Sequence, residues 1–228
     1  MRKWFIIPVL LFAVFFISDK TRAEYQGILL AESNLYPNLQ LHSDTLLKKM
    51  VVLPKTSYNH KRAIEIIHRL DQLPHSILQK AAQKDIKIIL FNGKLTDNDH
   101  VAYLHEKTPR GYIEPIVWDD VPGIGGTEFV YVKIGSSEKG KGHGSVNLEY
   151  HELAHSLMNL VYNDKVHSTK INAFWSQEAA SMFPGNSYFI NYKEEYFAEC
   201  FAYYFFSPET REVLKQNAPK TYQYFAKL

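Results

Sequence analysis

Two histidines four residues apart, with a glutamate directly after the first, define a specific chemistry in the run His151-Glu152-Leu153-Ala154-His155. On an α-helix, positions i and i+4 lie about 40° apart around the axis, so both imidazoles project to one side. Two ring nitrogens placed that way can hold one Zn²⁺, and Glu152 then stands where it can take a proton from the attacking water. Leu148, Leu153, Leu157, Met158 and Val161 supply the apolar face that a buried active-site helix needs. Catalytic zinc takes three protein ligands and keeps one position open. A third histidine does not follow in the H-E-x-x-H-x-x-G-x-x-H pattern, because Met158 stands where its glycine would be. A carboxylate must serve instead. Glu195 and Glu199 are again spaced i, i+4, within an otherwise apolar stretch of Phe197, Ala198, Phe201 and Ala202. Buried carboxylates need partners, and a metal with its ligands provides them. We assign Glu195 as the third ligand and Glu199 as the partner of a ligand histidine; on these residues alone the reverse order stays open. Glu194 faces either the cleft or solvent.

The elements that must position these groups follow from periodicity. Helices are expected near 145–162, 168–181 and 191–206, with two short ones near 208–216 and 218–227. Upstream, Met50–Leu53 reads as a strand stopped by Pro54, and Ala63–Leu70 as a helix. A second helix opens at Pro74, and Ile86–Phe91 is a β-branched strand ended by Asn92-Gly93. A helix start is expected at Thr96–Asp99. Pro109, Pro115, Pro122 and glycines 123, 125 and 126 mark a long irregular stretch around Trp118, followed by a strand at Phe129–Ile134. The glycine-rich run 135–144 reads as a solvated turn; it lacks the Gly-Lys-Ser/Thr ending of a phosphate loop. Residues 24–49 read as a loosely held arm. The expected architecture is α+β, one domain over 24–228, with an α/β lobe (24–144), a helical lobe (145–228) and a site in the cleft between them.

With 228 residues, 46% of them hydrophobic, the chain can bury a substantial core, which excludes a disordered or fibrous protein. Its formal charge of +2 rests on Arg2, Lys3, Lys20 and Arg22, opposed in the first 23 residues only by Asp19. Without that segment no basic excess remains, so a nucleic-acid partner is not expected. The segment itself reads as a secretory signal peptide. Two basic residues precede an apolar run from Trp4 to Ile17, too short for a membrane span, and small Ala23 suits cleavage. Export is the expectation, with no membrane association after removal of 1–23. Cys200 is the single cysteine, so an intrachain disulfide is impossible, and its apolar neighbours point to packing.

Several stretches resemble the Pro-Pro endopeptidases, secreted bacterial zinc metalloproteases related to the catalytic domain of anthrax lethal factor. They are Asn92–Asp97, Trp118–Gly123, Lys139–His143 and Glu194–Glu199 beside the histidine motif, and the likeness runs from about Val51 to the C-terminus. It implies a zincin-like metalloprotease fold with a small twisted sheet, the active-site helix in the cleft, and one Zn²⁺ per chain. It favours Glu195 over Glu199 as ligand and adds Tyr188, seven residues earlier, as the phenol that stabilises the oxyanion. The substrate surface departs from the family. Arg110-Gly111-Tyr112 replaces Lys-Gly-Trp, and the loop Gly125-Gly126-Thr127-Glu128 carries an acid, Glu128, where neutral residues are expected. The implied partner is a proline-rich peptide segment of a cell-surface protein, cut by a monomer. Two other readings compete: a lethal-factor-like protease with a non-proline preference, and a catalytically silent, zinc-stabilised adhesion or binding module. Glu152 argues against the second, since structural zinc sites fill the fourth position with a protein ligand and need no base.

Overall fold

The structure, a computed structural model, describes residues 25–111 and 116–228. In chain order its elements are β1 (Ile28–Leu29), α1 (Asp44–Met50), β2 (Val51–Leu53), α2 (His60–Asp71), α3 (His75–Gln83), β3 (Lys87–Phe91), β4 (Gly123–Ile124) and β5 (Phe129–Lys133). The helices α4 (Leu148–Leu160), α5 (Lys165–Met182), α6 (Ser187–Asn191), α7 (Lys193–Phe206), α8 (Pro208–Asn217) and α9 (Pro219–Phe225) follow. The expected signal segment and Tyr112 lie outside the described residues. Among those described, no helix is long and apolar enough to cross a membrane.

The α+β expectation holds. Five strands lie in the order β1-β2-β3-β5-β4, the inner three parallel and both edges antiparallel. Side chains alternate across a strand, so a sheet covered on both faces divides its residues between two cores. Ile88 and Leu90 join Val51, Leu53, Val130 and Val132 in the large core beneath the helices. Ile89 and Phe91 join Val52 and Tyr131 in a smaller one, closed by Leu95, Val101 and Val121. That second core is why β3 reads as an unbroken apolar run. The helix carrying both histidines, α4, packs against α7 on one side and against β4 and β5 on the other.

Four expectations need correction. The described part of the expected loose arm, residues 25–49, is anchored: β1 pairs with β2, and Leu30 and Leu47 are fully buried. Their polar neighbours are anchored as well, since buried Asp71 accepts the His42 and Ser43 N–H groups at 2.8 Å each. Met50 closes α1 rather than opening the strand. At 95–104 the chain makes two tight 3₁₀ turns, Leu95–Asp97 and Asp99–Leu104, instead of a helix. The histidine-bearing helix begins at Leu148, because Asn147 caps it by accepting the Tyr150 N–H at 3.0 Å.

Candidate active site

The α4–α7 packing brings the two i, i+4 pairs face to face. His151 Nε2 lies 3.2 Å from Glu195 Oε2 and 3.2 Å from His155 Nε2, and His155 Nε2 lies 3.5 Å from the same carboxylate oxygen. A tetrahedron with metal–ligand bonds of about 2.0–2.1 Å has edges of about 3.3 Å. The three donor atoms are therefore spaced as three corners of such a site, and the set of two imidazoles and one carboxylate suits a divalent metal ion.

Glu199 sits on the opposite side of the His151 ring. Its Oε2 is 3.0 Å from His151 Nδ1, and its Oε1 accepts the Val146 N–H at 3.0 Å. A carboxylate at Nδ1 keeps a proton there, so Nε2 is the nitrogen that would lose its proton and turn a lone pair to a metal in the ligand cluster. Charge in this cluster is balanced by contact. Burial alone would suppress the His151 imidazolium, but hydrogen bonds to Glu195 and Glu199 outweigh it and push the group up to about 10. Burial likewise works to raise Glu195, yet its hydrogen bonds to His151 and His155 hold the carboxyl well below the ordinary range. Glu152 differs: burial raises it, partly offset by the nearby histidines and by the Gly125 N–H.

His151, Glu152, His155 and Glu195 line a cleft of ≈ 830 Å³. Arg110, Trp118, Gly125, Gly126 and Tyr188 line it too. Tyr188 rides on α6, a one-turn helix that periodicity missed, capped by Asn186 accepting the Tyr188 N–H at 3.2 Å. Its ring packs over Gly111, where a Cβ would stand 2.5 Å from the ring edge. Arg110 reaches the cleft, but its guanidinium pairs with Glu194, stacks 4.1 Å from the Tyr192 ring centre and comes within 4.0 Å of Glu195. Its fork is thus turned toward α7.

Thr127 and Glu128 do not line the cleft, contrary to expectation. Gly126 ends the rim: its N–H donates to Ser156 Oγ at 2.9 Å and its carbonyl accepts from Asn159 Nδ2 at 3.0 Å. Beyond it the chain turns away into β5. Thr127 Oγ1 accepts the Phe129 N–H at 3.1 Å, and the Glu128 carbonyl accepts the Lys87 N–H at 2.7 Å. The glycine-rich run also departs from a solvated turn. His143, Gly144 and Ser145 line the cleft, and His143 Nε2 donates to the Ser136 carbonyl at 2.7 Å. Ser156 and Asn159 carried no signal in the sequence beyond their place on the helix.

Gly125 makes the closest approach between rim and helix. A Cβ there would stand 1.9 Å from the Glu152 carbonyl oxygen, so rim or helix must move. Gly125→Ala is expected to cost about 1–3 kcal/mol of stability, the scale of overpacking. The moved rim also touches the Glu152 side chain, so kcat/KM should fall at least about tenfold. Thermal melting and peptide hydrolysis check both, and a variant matching the wild type in each would show that the rim does not pack this tightly.

Residues 38–228 match the family model described as anthrax toxin lethal factor, N- and C-terminal domain. The Pro-Pro endopeptidase of Paenibacillus alvei is 42% identical over 185 residues, covering 81% of this chain and 85% of that protein. The Pro-Pro endopeptidase of Clostridioides difficile is 39% identical over 192 residues, covering 83% and 86%. The solved structure of the P. alvei enzyme superposes with a TM-score of 0.74, over 80% of this chain and 98% of that one. An α+β fold with a ligand cluster of this kind in an open cleft is that of a metalloendopeptidase. Within that class, the chain belongs to the Pro-Pro endopeptidases of the anthrax lethal factor family.

Proposed function

We propose that this chain is a secreted, monomeric zinc endopeptidase that hydrolyses the bond between two prolines in proline-rich segments of cell-surface proteins. The observation that carries the reading is the spacing of the three donor atoms at 3.2, 3.2 and 3.5 Å, on the wall of a cleft that also holds Glu152. His151, His155 and Glu195 hold the metal, and Glu199 orients His151. When bound, Zn²⁺ supplies a Lewis acid that polarises the scissile carbonyl and makes water more acidic.

The remaining chemistry belongs to side chains. Glu152 takes the proton of the attacking water and delivers it to the leaving nitrogen. That nitrogen belongs to a proline ring and departs as a secondary amine, so it needs a proton as the C–N bond breaks. A carboxyl whose pKa is raised by burial is suited to both halves of this relay. Tyr188 donates its O–H to the oxygen that gains negative charge. Proline suits the site because a proline-rich chain is already extended and low in entropy, and Trp118 offers a flat ring for its C–H groups.

The test is hydrolysis of peptides with a central Pro-Pro, Pro-Ala or Ala-Pro bond by the purified chain lacking residues 1–23, together with metal analysis. Cleavage between the prolines, lost with a chelator and restored by Zn²⁺, is expected. Indifference to the chelator, or equal cleavage of all three peptides, would sink the reading. Mass spectrometry of exported protein should find an N-terminus near Glu24, and size-exclusion chromatography a monomer.

Tyr188→Phe separates the hydroxyl from the ring. Packing over Gly111 is kept, so KM and Tm should change little, while kcat should fall roughly 10- to 1000-fold, as on losing one oxyanion donor. An unchanged kcat would return Tyr188 to packing alone.

A further inference from the structure

Trp118 lines the cleft, whereas the next side chain, Asp119, turns into the protein and is 3% exposed. Donors from two other segments meet its carboxylate, the Thr96 side chain among them. Oδ2 accepts the Glu106 N–H at 2.9 Å; Oδ1 lies 2.7 Å from His105 Nδ1 and 3.3 Å from Lys94 Nζ. Beside this knot, the Trp118 N–H donates to the Lys107 carbonyl at 2.9 Å. The backbone leaving at Lys107 and returning at Trp118 is therefore closed at its base, and it carries Pro109, Arg110 and Gly111 to the cleft. Glu106 has φ +58°, a left-handed conformation that costs a non-glycine residue energy and persists only where its surroundings enforce it. Its N–H is one of those that Asp119 holds. Two sequence stretches that supply no metal ligand or general base, Asn92–Asp97 and Trp118–Gly123, meet at this carboxylate through Lys94 and Asp119.

We propose that Asp119 is a positioning residue for substrate binding: it fixes Trp118 and the Pro109–Gly111 wall relative to each other, and so sets the shape of the part of the cleft that takes the proline rings. Its own contacts include no metal ligand and not Glu152, so its main effect is on binding; the wall it fixes also meets Tyr188 through Gly111 and approaches Glu195 through Arg110, which is why the test reads KM and kcat separately. The backbone and side-chain bonds it accepts also keep its carboxyl well below the ordinary range, so it stays an anion at any pH where the enzyme would be assayed.

The inference rests on the peptidase reading above, and the experiment separates the two. Asp119→Asn, with Lys94→Ala and His105→Ala, would be assayed on the Pro-Pro peptide alongside zinc content and Tm. Asp119→Asn is expected to raise KM about tenfold or more with kcat within about threefold and zinc unchanged; Lys94→Ala and His105→Ala should each raise KM by a smaller factor. A wild-type KM in folded, zinc-loaded Asp119→Asn overturns the proposal, as does a fall in kcat with KM unmoved. Should Asp119→Asn fail to fold, the double variant Lys94→Ala/His105→Ala carries the test, because both side chains are more than half exposed. An unchanged KM in that variant is equally decisive against it. No cleavage by the wild type would instead strike the peptidase reading itself.

Discussion

Glu152→Ala should remove about 10²- to 10⁴-fold or more of kcat while the protein keeps its bound metal and its fold. The carboxyl lines the cleft beside the ligand cluster but belongs to none of its three corners, so its loss leaves coordination intact. What disappears, on the proposed mechanism, is the group that receives the water proton and returns it to the proline nitrogen. Because the Glu152 side chain lines the open cleft, truncation opens space to solvent and leaves no sealed cavity, so Tm should move little. Metal analysis and thermal melting of the variant, beside its rate, decide the case. A variant within tenfold of the wild-type rate would mean that another group moves the proton.

The second large effect distinguishes the two glutamates of α7. Glu195→Ala should lose metal outright under dialysis that the wild type survives, since one of three donors is gone. Glu199→Ala should keep metal with affinity reduced about 10- to 100-fold, the range for a group that orients a ligand. The reverse order would exchange their roles. Protons compete in the same cluster: with His151 pushed up to about 10, metal binding must expel a proton at neutral pH. Apparent affinity should then fall by roughly tenfold for each pH unit of acidification. Chelator competition at several pH values measures that slope, and a flat profile would show that His151 binds metal without losing a proton.

Much of this site was legible in the sequence because it is helical. An i, i+4 pair determines its own geometry, so His151/His155 and Glu195/Glu199 could be read as two faces before either helix was placed. Which glutamate faces the histidine Nε2 atoms was not legible, because it depends on the rotation of α7 against α4. Tyr188 needed the family resemblance: a one-turn helix has too few residues to show a period. The rim was misread at its end. Nothing in Gly125-Gly126-Thr127-Glu128 says that Ser156 and Asn159 seize Gly126 and turn the chain away before Glu128 reaches the cleft. The arm at 24–49 failed for a similar reason, since β1 is two residues long and exists only because β2 offers it an edge. Asp119 was visible as part of a motif, but its partners at 94, 105 and 106 come together only in the folded chain.

The sheet's other edge has a bearing on solubility. A row of unpaired backbone groups at the end of a sheet invites pairing with a second molecule, and proteins normally cover it or keep it short. Here β4 ends the sheet among the described residues and spans only Gly123–Ile124. Pro122, which has no N–H to offer, precedes it, and Gly126 after it is tied to α4. An edge that short gives another copy of the chain too few bonds to propagate a stack.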